Sequence, residues 1–199
     1  MLLKLLSIDV YEDAKRLESR YLSSTDALAF VYCSYKDRVS QTLAALVSSL
    51  VQQIARCCAS LPEPVHELYN QHQSRNTRPT VSEYLNLLRD LVIMFPRTYL
   101  VIDALDECQE SDETRSKFTR LLLDLPANVY LLCTSRKLGD ISDLFCSAAC
   151  LEIAGSNSDV ELFLTGQILR SKRLRSFCET SPSLERTILD KVIVNAKGM

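Results

Sequence analysis

Three acidic residues at the end of one apolar run are the chain's clearest chemical signal. In YLVIDALDEC, residues 99–108, four apolar residues lead to Asp103, and Asp106 and Glu107 follow after a two-residue gap. A short apolar run of this kind predicts a buried strand with Asp103 at its carboxyl end. Ligands of open α/β sheets bind at those ends. A carboxylate fixed there can hold Mg²⁺ directly or through a water, because magnesium keeps several waters and needs only one or two protein carboxylates. Asp106 or Glu107 can then orient or deprotonate an attacking water. The plainer alternative is a strand followed by a solvated acidic turn. Against it stands a narrower combination: the acidic doublet, then a following strand that ends Thr134-Ser135-Arg136. Together these fit a site that cleaves nucleoside triphosphates better than a bare turn does.

The elements that must position these residues follow from periodicity. Residues 8–22 place Ile8, Tyr11, Leu17 and Tyr21 among charges and predict a helix. ALAFVYC, residues 27–33, is a short apolar, β-branched and aromatic run and predicts a first buried strand. Residues 41–59 form a long helical pattern with Leu43, Leu46, Val47, Leu50, Val51 and Ile54 on one face. Ser60 with Glu63 has the spacing of a capping box for a helix to Gln73, and Thr80 with Glu83 repeats it for a helix stopped by Pro96. The second strand spans 98–104. A helix over 111–125 ends at Pro126, and a third strand covers 128–134. A short helix over 141–145 and a short fourth strand over 150–153 follow. Ser158 and Glu161 then cap a helix to about Arg173, and Ser181-Pro182 opens a last helix running to Gly198. Apolar strands alternating with helices predict an α/β fold with a mostly parallel sheet covered on both faces, a three-layer αβα arrangement over residues 1–155. Residues 156–199 read as a small helical appendage.

Composition removes several function classes. Hydrophobic residues make up 47% and charged residues 24%, which suits a packed core rather than disorder. The net charge is −2 with basic residues scattered, so nothing predicts nucleic-acid binding. No apolar run approaches the roughly 18–20 residues of a bilayer span, and the N-terminal apolar stretch lacks a small-residue cleavage site. Most of the eight cysteines lie in apolar runs, no Cys-x-x-Cys occurs, and His66 and His72 are remote from any cysteine pair. That spacing argues against zinc and for reduced thiols in a cytoplasmic protein. Glycine is scarce. There are four, and the first is Gly139.

VIDALDEC followed one strand later by LLCTSR resembles the NACHT modules of STAND-type signalling NTPases. FVYCSYKDR, LPEPVHELY, NTRPTVSEYLNLL and ETRSKFTRLLLDL extend the likeness to the nephrocystin 3-like N-terminal domain, a NACHT-like domain common in fungal proteins that carry ankyrin, WD or TPR repeats. The resemblance covers about residues 17–199 and is strongest over 27–40 and 98–136. It implies a P-loop NTPase-like fold that binds Mg²⁺ with ATP or GTP as a signalling switch. Asp103 would be the Walker B magnesium ligand, Asp106 and Glu107 the paired acids beside the γ-phosphate, and Arg136 a sensor arginine. A guanidinium suits that last role because it is always charged and grips phosphate oxygens in a fork.

The chain departs from this pattern where phosphate should be gripped. A P-loop needs Gly-x-x-x-x-Gly-Lys-[Ser/Thr] before the first helix; here MLLKLLSID precedes it, and Lys4 has no glycines around it to form a nest of amide donors. The strand that would carry the loop, between the third and fourth strands, is missing as well. The sequence therefore predicts a fragment begun after the P-loop, or else a degenerate member. Either way Asp103 alone makes a weak Mg²⁺ site, and the chain is not expected to hydrolyse nucleotide by itself. A missing central strand also predicts two exposed strand edges and self-association, or pairing with full-length relatives. The competing expectation is a non-enzymatic interaction module.

Overall fold

A computed structural model describes residues 25–37, 40–153 and 157–195. The helix expected over 8–22 lies outside them, as do Lys4 and the last residues of the closing helix. The chain divides into two compact units, Met1–Cys146 and Ser147–Met199.

In the first unit, β1 (Ala27–Tyr32), β2 (Thr98–Asp103) and β3 (Val129–Cys133) form a parallel sheet in the order β1-β2-β3. Register runs Ala27 to Thr98 and Thr98 to Val129, so Tyr32 stands beside Asp103 and Cys133 beside Ile102. Four helices connect and cover these strands: α1 (Leu43–Cys57), α2 (Glu63–Arg75), α3 (Val81–Val92) and α4 (Thr114–Leu123); a short α5 (Gly139–Leu144) follows β3. Helix α1 buries Leu46, Val47, Leu50, Val51 and Ile54, and α3 buries Leu85, Leu87, Leu88, Leu91 and Val92. With Phe118 and Leu122 of α4 they cover the Ala27, Ala29, Val31, Leu100 and Ile102 side of the sheet in one core. On the opposite side Tyr99 stacks on Tyr130 at 5.3 Å between ring centroids, and Tyr130 is 51% exposed.

Local chemistry sets the helix ends. Thr42 caps α1 by accepting from the Ala45 amide, and Thr80 with Glu83 makes the full capping box expected for α3. The Ser60 box does not form. Pro62 is the N-cap of α2, with its ring-fixed φ of −63° and an extended ψ of 140°, and no side chain caps the helix. Helix α4 begins at Thr114 rather than Ser111, after Glu113 adopts a left-handed φ of 62°. Asn128 donates to the carbonyls of Val92 and Phe95, satisfying groups left open at the end of α3.

The outer edge of β1 is covered by side chains. The Gln53 amide accepts from Phe30 N–H at 3.0 Å and donates to Phe30 C=O at 2.8 Å. Gln41 does the same for its neighbours, donating to Tyr32 C=O and accepting from Ser34 N–H. Cys57 Sγ reaches Leu28 C=O at 3.8 Å.

The second unit is helical: α6 (Asn157–Arg170), α7 (Lys172–Thr180) and α8 (Pro182–Asn195), meeting at Ile168, Cys178 and Leu189. The helix expected to reach Arg173 stops at Arg170, because Ser171 turns out of helical geometry and caps α7 through the Leu174 amide. The fourth strand expected over 150–153 does not form. Leu151 and Ile153 are 50% and 61% exposed, with no ladder partner among the described residues. A strand needs a neighbour to bond, and among the described residues the sheet ends at β3, so there only one of the two expected open edges is found.

Candidate functional site

The carboxyl ends of the three strands gather the acidic residues. Asp103 ends β2, half-buried, and its Oδ1 accepts a hydrogen bond from the Thr134 hydroxyl at 2.5 Å. Thr134 in turn accepts from the Ala104 amide, so one hydroxyl locks both the carboxylate and the first peptide of the following loop. Ala104 has a left-handed φ of 53°, which costs a residue with a Cβ about 1 kcal/mol. That reversal turns the chain into a single 3-10 turn, Leu105–Glu107, which carries the acidic doublet. Leu105 plugs into the core and fixes the turn from below.

Arg136 closes the site from β3's side. Its amide donates to Asp106 Oδ1 at 3.0 Å and its Nε to Oδ2 at 2.8 Å, while its Nη2 lies 3.8 Å from Glu107 Oε1. Asp106 is 8% exposed and Arg136 77%, so a buried carboxylate anchors a solvent-facing guanidinium. The other Glu107 oxygen accepts from the Tyr35 amide at 3.2 Å, tying the turn to the loop after β1. Asp106, Glu107 and Arg136 are therefore in contact, while Asp103, at the end of β2, bonds Thr134 instead. With both of its oxygens bonded by Arg136, Asp106 is placed as an anchor, and Glu107 is the less committed acid.

Sequence reasoning missed the supports. Arg115, in the first turn of α4 and 9% exposed, donates to the Asp106 carbonyl, pairs with Asp140 at 2.5 Å, and lies 3.6 Å from Glu110. The hydrogen bond from Arg115 holds the Asp140 carboxyl below its ordinary range. Thr134 and Arg115 both stand in segments quoted for the resemblance, but only the fold shows what they touch.

A family model described as Nephrocystin 3, N-terminal matches residues 6–136, more than half the chain. The chain belongs to that family. The nephrocystin 3 N-terminal match ends on Arg136 and so spans the whole acidic site. No curated protein and no solved structure matches the chain.

Among the described residues no group of three or more His, Cys, Asp or Glu could hold an ion. One oriented carboxylate, Asp103, suits a Mg²⁺ that arrives with phosphate ligands and keeps its waters, not a resident metal. Among the described residues no helix is long and apolar enough to cross a membrane.

Proposed function

We propose that this chain carries the acidic half of a NACHT-type, STAND-class nucleotide-switch module, with residues 1–155 as its α/β core and 156–199 as the start of a helical domain. The observation that carries the reading is the contact of Arg136 with Asp106 and Glu107 in the turn that follows Asp103, at the carboxyl end of a parallel strand. Asp103 would hold Mg²⁺ brought by ATP or GTP, and that ion would neutralise charge on the phosphates. Glu107 would orient a water. Arg136, now held by Asp106, would transfer its guanidinium to a terminal phosphate, whose oxygens offer the same forked geometry with more charge. That exchange would free Asp106 and loosen the turn, coupling nucleotide to conformation. With no glycine before Gly139 to bring amides against phosphate, binding should be weak and hydrolysis absent in this chain alone. Isothermal titration with MgATP tests this. The expected result is millimolar binding lost in Asp103→Ala and in Arg136→Ala. No binding at millimolar MgATP would refute the switch reading, and micromolar binding with turnover would refute the inactive one.

A second reading, a non-enzymatic module that pairs with a second copy, is favoured by the outer edge of β3. Asn128 C=O and Thr134 N–H bond β2, so the main-chain groups of Leu131 and Cys133 point away from it, and among the described residues they have no partner. Two copies can pair these edges antiparallel about a two-fold axis through Leu131. Sedimentation equilibrium should then give a dimer that Tyr130→Lys with Leu132→Lys converts to monomer, since both side chains are exposed and charges there oppose edge pairing. A monomer at all concentrations would rule this out.

A further inference from the structure

Helix α6 has two apolar sides, and only one of them is covered. Val160, Leu164 and Ile168 recur every four residues and turn inward, Ile168 buried and the other two half-buried. Leu162, Phe163 and Leu169 fall on the opposite side and are 75%, 60% and 61% exposed. A helix at the surface of a small bundle ordinarily carries polar residues there. The three apolar residues belong to a longer line. At about 100° per residue, Asp159, Leu162, Phe163, Gly166, Leu169 and Arg170 lie within about one third of the helix circumference, three and four residues apart as in the seam of a two-helix coil. The line is acidic at its start, with Asp159 in the first turn, and basic at its end, with Arg170 in the last. Gly166 sits between, and a Cβ added there would meet nothing within 4 Å, so no neighbour in the chain requires that position to be small.

We infer that this line is a self-recognition surface, on which a second copy of the chain lays the same helix antiparallel. The inference concerns the helical unit and rests neither on the nucleotide site nor on the edge of β3. Charge and size together choose the occupant and its direction. With a two-fold axis crossing α6 between Leu164 and Thr165, Asp159 of each copy faces Arg170 of the other, so opposite charges meet at both ends. Phe163 then lies over the bare Gly166 of the second copy, large against small, and Leu162 sits beside its Leu169. Antiparallel helices also set the positive end of each macrodipole beside the negative end of the other. A parallel pair would bring Asp159 to Asp159 and Arg170 to Arg170, with Phe163 against itself and a void between facing glycines. Lys172 and Arg173, which follow Arg170, would suit an anionic bilayer surface, but the acidic start of the line opposes that occupant. The seam is about three helical turns long, which places the contact among small, weak and transient interfaces.

The test uses the full chain carrying Tyr130→Lys and Leu132→Lys, which removes pairing through β3. Raised to millimolar concentration in sedimentation equilibrium, this chain should show a weak monomer–dimer equilibrium of its own. Asp159→Arg and Arg170→Asp, added singly, should each weaken it about tenfold or more, because each sets like charges against one another at both ends. An equimolar mixture of the two should dimerise again, since every end is once more opposite in charge, and that recovery requires both variants to be folded. Gly166→Gln enters open space within the chain, so it should keep the helical circular dichroism signal and weaken pairing about tenfold, by filling the place that Phe163 takes. A chain that stays monomeric at millimolar concentration would overturn the inference, even where the chain without the two lysines still dimerises through its strand edge. So would a dimer that both charge reversals leave intact, or a mixture that stays monomeric. Capture by phosphatidylserine vesicles of a chain that never dimerises would assign the surface to a bilayer instead.

Discussion

Replacing Gln53 by leucine removes the clasp on β1 while nearly keeping the side-chain volume. The wild-type amide makes two bonds to one peptide neighbour, accepting from Phe30 N–H at 3.0 Å and donating to Phe30 C=O at 2.8 Å. A neutral hydrogen bond contributes about 1 kcal/mol net, and a buried peptide group left without a partner costs about 1–3 kcal/mol. Gln53 and Phe30 are both half-buried, so water recovers part of that loss. The expected destabilisation is about 1–2.5 kcal/mol. Gln53→Glu should lose at least as much, since it keeps an acceptor for the N–H but sets a carboxylate against the Phe30 carbonyl. Urea unfolding followed by far-ultraviolet circular dichroism gives the midpoint, and amide exchange at Phe30 assigns the loss to this edge. A Gln53→Leu midpoint indistinguishable from wild type, with Phe30 still protected, would refute the reasoning.

Three further outcomes follow from the same geometry. Ala104→Gly relieves the left-handed strain beside Asp103 and should change stability by zero to about +1 kcal/mol in urea unfolding, whereas Ala104→Val should cost about 2 kcal/mol. Arg115→Met removes the anchor shared by the Asp106 carbonyl and Asp140 and should cost about 2–3 kcal/mol at neutral pH. Because the Asp140 carboxyl is held low in the fold, its contribution is present above about pH 4 and lost as pH falls through its folded value, so the variant should also show a flatter acid limb. At the other extreme, burial pushes the Cys133 thiol up to about 12 in the folded chain. Its contribution is intact below the free-thiol value near pH 9 and declines by about 1.4 kcal/mol per pH unit above it, and Cys133→Ala should remove that slope in unfolding measured from pH 8 to 11.

The three strands and the core faces of α1 and α3 were legible because their apolar periodicity coincides with what the core buries. Leu46, Leu50 and Ile54 read as one stripe and pack as one. The Thr80–Glu83 box was legible because both partners are local. The Gln53 clasp was not, since a glutamine on an amphipathic helix looks like any solvent-facing polar residue until β1 is placed beside it. Residues 150–153 misled because a short apolar run carries strand propensity whatever lies next to it, and pairing is decided by the neighbour. At the candidate site the placement of Asp103 at a strand end and of Asp106 and Glu107 in the turn after it was readable from spacing, while Arg136 was singled out by the resemblance. The bonds from Thr134 and Tyr35 were not, because each spans at least 30 residues or depends on a main-chain atom.

The glutamine side chains along β1 also fix a number. Among the described residues the sheet is stoppered along one side and bare along the other, which gives it a bonding valence of one. It can be extended once, by one strand, and the product has no further site at which to add. Assembly through this edge would therefore be self-limiting, a closed pair rather than a growing fibre, and two polar side chains, Gln53 on α1 and Gln41 just before it, set that ceiling without a proline or a lysine in either outer strand.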